Sequence, residues 1–473
     1  MLTLADVFEA LSGFRPERAD QVVTEAVVDS REAIQGSLFV ALPGEQVDGH
    51  DFVQNAFDNG AIVALVQRDP SGCYPVLDLN ADWTAHVSEI IQTPFCLLVP
   101  DSLQALQKIA HFWRRKLTLR VVGITGSVGK STTKELVTEV LSQRYRTLKN
   151  PGNLNNEIGL PLTVLRLNED HDRAILEMGL YVPGEIAFLC DLALPEVGVV
   201  TNVGMVHAER AGSQESIAKG KAELVKSLPP APDGVAILNY DDPWVRAMAS
   251  ETRAQVFFYG LDPQAELWAD GVEGLGLDGI RFRLHYRSET LHLRVPLIGR
   301  HSVHTALRAA AVGLVEGLNW QEIINGLRSG NAQLRLVTVR AKSGALVLDD
   351  TYNASPQSTL AALNLLEELE GHKIAVLGDM LELGQYEEQG HEMVGARAAE
   401  VVDELFTVGE RARIIARAAF QAGLTEEVIH EFENSDQAIE HLIERLGAED
   451  VVLVKGSHGM RMDRIVAALE ESS

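Results

Sequence analysis

Apolar positions along this chain fall into short runs, and from about residue 120 onward those runs alternate with stretches of helical period. The segments Val121–Ile124, Ala174–Leu176, Val197–Thr201 and Val235–Leu238 are strand-length and apolar, the pattern of strands buried on both faces. An Ala-rich helix is expected over His304–Gly317. Strands alternating with helices predict a parallel sheet with crossover helices. Beyond Gly330 the alternation repeats. Strands are expected at Ala345–Leu348, Ile374–Leu377, Asp403–Val408 and Val451–Val454, and helices over Ser358–Glu370, Glu392–Val402, Ala412–Ala422 and from Arg461. Before residue 120 the pattern is looser. Short strands (Leu38–Leu42, Ala61–Val66) mix with turn clusters and close on an amphipathic helix, Leu103–Lys116, with Leu106, Ile109, Ala110 and Trp113 on one face. The fold class that follows is three-domain α/β. A small mixed α/β N-terminal domain spans 1–115, a central parallel-sheet domain 116–329, which the phosphate loop described next makes a P-loop ATPase domain, and a C-terminal Rossmann-like α/β domain 330–473.

The strand at Val121 runs into Thr125-Gly-Ser-Val-Gly-Lys-Ser-Thr132 and then into helix-forming sequence. Small residues let backbone N–H groups close around phosphate oxygens, the lysine neutralises β/γ charge, and the serine hydroxyl can hold Mg²⁺. Gly126, Ser127, Gly129, Lys130, Ser131 and Thr132 are therefore expected to hold a nucleotide triphosphate. The strict P-loop spacing is not met, because Ile124 stands where its first glycine belongs.

In open parallel sheets, ligands bind beyond the carboxyl ends of the strands. Lys130, Glu177, His207, Asp350 and Lys455 are all expected there. Glu177 is a candidate Mg²⁺ ligand, since Mg²⁺ prefers oxygen; the plainer reading is a solvated loop acid. His207 on its own reads as a hydrogen-bonded structural histidine, and Lys221, by periodicity alone, as a solvated lysine on a helix.

With a net charge of −26 the chain is a poor partner for nucleic acid or an anionic membrane, and a bound nucleotide must be met by local cations. Three scattered cysteines give neither a disulfide framework nor a zinc spacing. The N-terminus reads as lacking a signal peptide, and no apolar run is of membrane-spanning length. A cytoplasmic location and a monomeric state are expected.

Taken together these segments resemble the Mur ligase family over nearly the whole chain. Asp29-Ser-Arg31, Gly36–Gly44 and Asp48-Gly-His-Asp-Phe52 resemble its UDP-sugar-binding domain. Thr125–Thr132 fits its phosphate loop, and Asn153–Gly159, Glu177-Met-Gly179, Thr201–Gly204 with His207, and Asn239-Tyr-Asp-Asp242 also match. Asp349-Asp-Thr-Tyr-Asn-Ala-Ser-Pro356, Gly378-Asp-Met-Leu-Glu-Leu-Gly384 and Lys455-Gly-Ser457 resemble the dipeptide-adding branch. The resemblance implies an ATP-dependent, ADP-forming ligase with UDP-N-acetylmuramoyl-tripeptide and D-alanyl-D-alanine as substrates, acting through an acyl phosphate. It implies Mg²⁺ at Ser131, Glu177, His207 and Lys221, with Lys221 carbamylated by CO₂. It also implies nucleotide contacts from Asn239, Arg335, Asp350 and Asn353, and catalytic roles for Lys130, Lys221, His207 and Lys455. UDP-sugar and peptide contacts are implied for Ser30, Arg31, Asp48, Gly49, His50, Asn153, Asn155 and Asn156. The chain departs from the family pattern at Ser302 and Thr305, where asparagines are usual near the base, and at His458, where arginine is common. A rival of another class is a nucleotide-gated regulatory protein without ligase turnover.

Overall fold

The structure, a computed structural model, describes residues 1–44, 47–70, 74–79, 93–205, 209, 212–329 and 337–470. His207 and Arg335 lie outside the described residues. The chain divides into two compact units. The first comprises Met1–Gly123, Tyr145–Gly179 and Glu185–Glu196, and the second Ile124–Arg144, Leu180–Gly184 and Val197–Ser473. Among the described residues the strands build three sheets.

The first unit carries a five-stranded parallel sheet in the order Ala26–Val27, Leu38–Val40, Val63–Val66, Phe95–Leu98, Val76–Asp78. Phe39, Val53, Phe57, Ala64 and Cys96 form a core cluster beside it. The expected helix is present as Ser102–Lys116, started by the Asp101 side chain, which accepts from Gln104 N. Trp113 Nε1 donates to Leu167 O at 2.8 Å, and buried Arg114 donates to the carbonyls of Ala193, Leu117 and Leu119. One apolar helix face is thus pinned by polar groups at its end. Thr147–Lys149 and Arg173–Glu177 pair in parallel.

In the second unit Val197–Val200, Val235–Asn239, Gln255–Gly260 and Leu267–Gly274 run parallel, and Ile280–Tyr286 and Glu289–Val295 continue antiparallel. The sequence reading passed over that antiparallel extension, although Ile280, Phe282 and Leu284 alternate with arginines. Helix Val303–Val315 covers the central sheet, and its contiguous buried alanines allow close approach. The final sheet has the order Val337–Arg340, Leu346–Asp350, Asp450–Lys455, His372–Gly378, Glu404–Val408, Ile429–Phe432, parallel except for its first pair. Separate apolar clusters cover its two faces, one with Leu363, Leu366 and Val394, the other with Leu442, Ile465 and Val466. Helices Pro356–Glu368, Glu387–Val401, Arg413–Gln421 and Asp463–Leu469 fall where the periodicity predicted them, within a few residues.

Candidate active site

The loop after strand Arg120–Thr125 is set by two glycines. Gly126 has φ +147°, and a Cβ there would sit 1.8 Å from Thr201 Oγ1. Gly129, at φ +81°, opens helix Lys130–Leu141 with no side-chain cap, so the positive helix end faces the loop. The neighbouring strand-end segment braces this turn. Val128 N and Ser127 N donate to Asn202 Oδ1 and Asn202 O, each at 3.0 Å. Thr201 Oγ1 donates to Val128 O at 2.8 Å, and Gly204 N to Ser127 Oγ at 2.8 Å. Lys130 Nζ folds over the loop, donating to Gly126 O (2.9 Å) and Ser127 O (3.2 Å). Ser131 and Thr132 follow, half-buried, in the first helical turn.

Lys221 is on helix Gln214–Ser227 and only 2% exposed, which overturns the solvated reading taken from periodicity alone. The helix packs on more than one side: Gly220 lets Leu180 approach, while Ile217, Ala222 and Leu224 are buried. Burial first, and the Lys130 charge second, push the Lys221 amine well below the usual lysine range. Asn239 is buried; its Nδ2 donates to Thr201 O at 3.2 Å and its Oδ1 accepts from Asp241 N at 3.1 Å.

Arg308, which sequence reasoning did not single out, is 4% exposed beneath the phosphate loop. Its Nη2 donates to Thr305 Oγ1 at 2.7 Å and lies 3.2 Å from the position of a Cβ on Gly129. The signal was a lone arginine in Ala306-Leu-Arg-Ala-Ala-Ala311. Ser302 Oγ donates to Ile298 O at 2.7 Å, so Ser302 and Thr305 are both engaged locally.

Glu177 closes its strand at 2% exposure, not as a solvated acid. Within the first unit Asn155 Nδ2 donates to Glu177 Oε1 at 2.9 Å, and Glu177 N donates to Asn150 Oδ1 at 2.9 Å. Asn150, fully buried, is another residue sequence reasoning missed. Asn156 Oδ1 accepts from Gly159 N at 2.9 Å and so turns the chain into the following helix, while Asn153 is exposed. Elsewhere in this unit Ser30 is buried, and Arg31, 87% exposed in its side chain, pairs with Asp29 at 2.6 Å. Asp48 caps the turn Gly49–Phe52. His50 is buried with both ring nitrogens engaged, Nδ1 with Asp48 Oδ1 at 2.6 Å and Nε2 accepting from Gln67 N at 2.8 Å. Gly49 is packed against Leu42, whose carbonyl its N–H meets at 2.9 Å.

At the ends of the last sheet, three expected residues come together. Lys455, 2% exposed, donates to Asp350 Oδ2 (2.6 Å) and to Asn353 O (2.8 Å). This end of the sheet packs against the central segment of the same unit. Glu209 N donates to Glu382 O and Gln385 Nε2 to Gly212 O, both at 3.2 Å. Gln357, in the first turn of helix Pro356–Glu368, lies against Gly204.

Three family models match the chain: the Mur ligase family catalytic domain over residues 23–92, the Mur ligase middle domain over 124–313, and the Mur ligase glutamate ligase domain over 334–458. UDP-N-acetylmuramoyl-tripeptide–D-alanyl-D-alanine ligase of Bacillus subtilis is 35% identical, with 99% of this chain and 98% of that one aligned. The chain belongs to the Mur ligase family. Among solved structures, MurF from Acinetobacter baumannii is similar with TM-score 0.84 and 30% identity, covering 99% of this chain and 98% of that one. MurF from Thermotoga maritima in complex with ADP is similar with TM-score 0.78 and 29% identity over 95% of this chain and 98% of that one. These neighbours carry the same three-domain α/β fold as this Mur ligase. Among the described residues no helix is long and apolar enough to cross a membrane.

Proposed function

We infer that this Mur ligase joins D-alanyl-D-alanine to UDP-N-acetylmuramoyl-tripeptide in peptidoglycan precursor synthesis, converting ATP to ADP and phosphate. The full-length likeness to ligases of that name carries the reading. The tripeptide carboxylate attacks the γ-phosphorus of ATP, giving an acyl phosphate and ADP. The dipeptide amine then attacks the acyl carbon, and phosphate leaves. The obstacle in the first step is anion meeting anion. Two unit charges 4 Å apart repel by about 4 kcal/mol at an effective dielectric near 20. Lys130 over the loop and buried Arg308 behind it supply fixed positive charge where this repulsion has to be offset. Holding three substrates in line contributes a further ~7–11 kcal/mol of barrier reduction.

Three functional modules follow: 1–115 for the UDP-sugar, 116–329 for ATP and 330–473 for ligation. Ser30, Arg31, Asp48, Gly49, Asn153, Asn155 and Asn156 serve the nucleotide-sugar substrate, with His50 holding the Asp48 turn. Asn239, Arg335, Asp350 and Asn353 serve ATP, and Lys455 organises the last module's edge.

Mg²⁺ prefers oxygen donors, and the family resemblance would give it the Ser131 hydroxyl and the Glu177 carboxylate, which Asn155 orients within the first unit. His207 and a carbamate on Lys221 would complete it, and the ion would screen the phosphoryl oxygens. Carbamylation requires a neutral amine, the form that burial favours at Lys221. ATP and nucleotide-linked precursors are cytoplasmic metabolites, which makes the cytoplasm the working compartment.

The test is phosphate release with each substrate omitted in turn. Release only when ATP, the tripeptide nucleotide and D-alanyl-D-alanine are all present is expected. Release indifferent to both acceptor and donor peptide would instead support a nucleotide-gated regulator.

A further inference from the structure

Arg308 is a buried charge whose contacts do nothing to neutralise it. Arginine stays protonated at any pH a protein meets, and this one is 4% exposed, on the helix Val303–Val315 that covers the central sheet. Its hydrogen-bond partners are neutral hydroxyls. Nη2 donates to Thr305 Oγ1 at 2.7 Å and Nη1 to Tyr259 Oη at 3.4 Å, while Nε is buried and donates to no described residue. Among the described residues no carboxylate pairs with the guanidinium. Asp241 and Asp242, whose charges reach Tyr259, are committed elsewhere. Asp241 pairs with His304 Nε2 at 2.7 Å and accepts from Leu261 N at 2.8 Å; Asp242 accepts from Val203 N at 2.8 Å and Trp244 N at 2.9 Å.

A buried charge without a partner is a standing cost to the folded state, and a native fold that keeps one calls for a reason. Its location supplies one. Arg308 Nη2 lies 3.2 Å from the point a Gly129 Cβ would occupy, and Gly129 opens helix Lys130–Leu141 without a side-chain cap. The positive helix end and the guanidinium therefore stand at one place, and Lys130 folds over the same loop. All of this charge has one sign, and an anion on the loop balances it. The guanidinium need not touch that anion, because a buried charge is screened far less than an exposed one and acts through the turn at Gly129. We propose that Arg308 is a positioning residue whose counter-ion is the polyphosphate: its charge lowers the stability of the protein without nucleotide and strengthens the loop's hold on nucleotide. Fold stability and nucleotide affinity are thereby linked with opposite signs at one side chain. The inference rests on the nucleotide reading above and deepens it.

The experiment takes the full-length wild type, Arg308→Met and Arg308→Lys, and reads two quantities: the thermal midpoint without nucleotide, and MgADP affinity by titration calorimetry. Methionine fills much of the stem's space without the charge; lysine keeps the charge. Arg308→Met should unfold at a midpoint equal to or above that of wild type, yet bind MgADP about tenfold more weakly. Arg308→Lys should bind MgADP within about threefold of wild type and show no gain in midpoint. A side chain that served packing alone would take stability and binding down together, so a midpoint of Arg308→Met below that of wild type overturns the proposal. Unchanged MgADP affinity in Arg308→Met overturns it as well, and so does Arg308→Lys binding no better than Arg308→Met. A wild type that does not bind MgADP overturns the nucleotide reading instead.

Discussion

Asp350 and Lys455 are register partners on adjacent parallel strands, and Lys455 Nζ sits 2.6 Å from Asp350 Oδ2 with the lysine side chain 2% exposed. A charge this deep is tolerable only while its partner remains. Removing one side of a buried pair costs about 3–5 kcal/mol, whereas replacing both can be nearly neutral. Lys455→Met should therefore lose about 3 kcal/mol or more of unfolding free energy in urea. The double variant Lys455→Met/Asp350→Asn should regain most of that stability while ligation stays low. Such a split would separate the pair's structural part from its part in the reaction.

The environment of Lys221 makes two expectations, one chemical and one thermodynamic. A neutral amine reacts with CO₂, so activity should rise with added bicarbonate. Lys221→Ala should be nearly inactive and partly restored by short-chain carboxylic acids; full activity without them would dismiss the carbamate. The stability sign runs the other way from an ion pair. The folded amine sits well below its unfolded value of about 10.4, so the unfolded chain binds more protons, and stability rises with pH up to that value. Lys221→Met should flatten this rise on the approach to about 10, measured by denaturation at several pH values with CO₂ excluded.

Much of this site was legible because strand ends are legible. Lys130, Glu177, Asp350 and Lys455 each follow or close an apolar run, and the final strand residues Glu177, Asp350 and Lys455 lie where the runs stop. Burial was not legible in the same way. Lys221 looked solvated because its helix shows charged neighbours, Lys219 and Glu223, and the packing through Gly220 leaves no periodic trace. Arg308 and Asn150 act on groups distant in sequence, so no local pattern marks them. The antiparallel extension over Ile280–Val295 did carry a period-two signal, masked by the α/β alternation around it.

Asp6, which closes a capping box with Thr3 at the start of helix Leu4–Ser12, ties that helix to helix Ser102–Lys116. Its carboxylate is 4% exposed and accepts from Lys116 Nζ at 2.8 Å, Arg15 Nη1 at 2.7 Å and Thr3 N at 2.9 Å. Burial alone would raise its pKa, but these donors outweigh burial and hold it well below the usual carboxylate range. The stabilisation is fully present above the unfolded value of about 3.9 and is lost as pH falls through the folded one. Lys116 and Arg15 are partly exposed, which screens the pair. Asp6→Asn should cost about 1–2 kcal/mol at pH 7. Its gap from wild type should narrow as pH drops below about 4. A gap that stays constant down to pH 2 would mean the capping geometry, not the charge, supplies the effect.

Gly126 carries the sharpest steric demand of the loop. Its φ of +147° is one that L side chains rarely adopt, and the Cβ position collides with Thr201 Oγ1 at 1.8 Å. Thr201 cannot give way freely, because its hydroxyl donates to Val128 O and its N–H to Thr125 O at 2.9 Å. Gly126→Ala therefore displaces either the loop or the strand end beside it. Backbone strain and overpacking each contribute on the order of 1–3 kcal/mol. The loop donors for phosphate and the strand-end segment Thr201–Gly204 shift together, so MgADP binding should fall much further than stability does. Gly126→Ala/Thr201→Ser leaves the hydroxyl clash in place and should not rescue binding. Gly126→Ala/Thr201→Gly opens the space and should restore part of it, leaving the φ penalty alone. If Gly126→Ala binds MgADP as wild type does, the loop is not the phosphate site, and the whole assignment of nucleotide chemistry to this strand end fails with it.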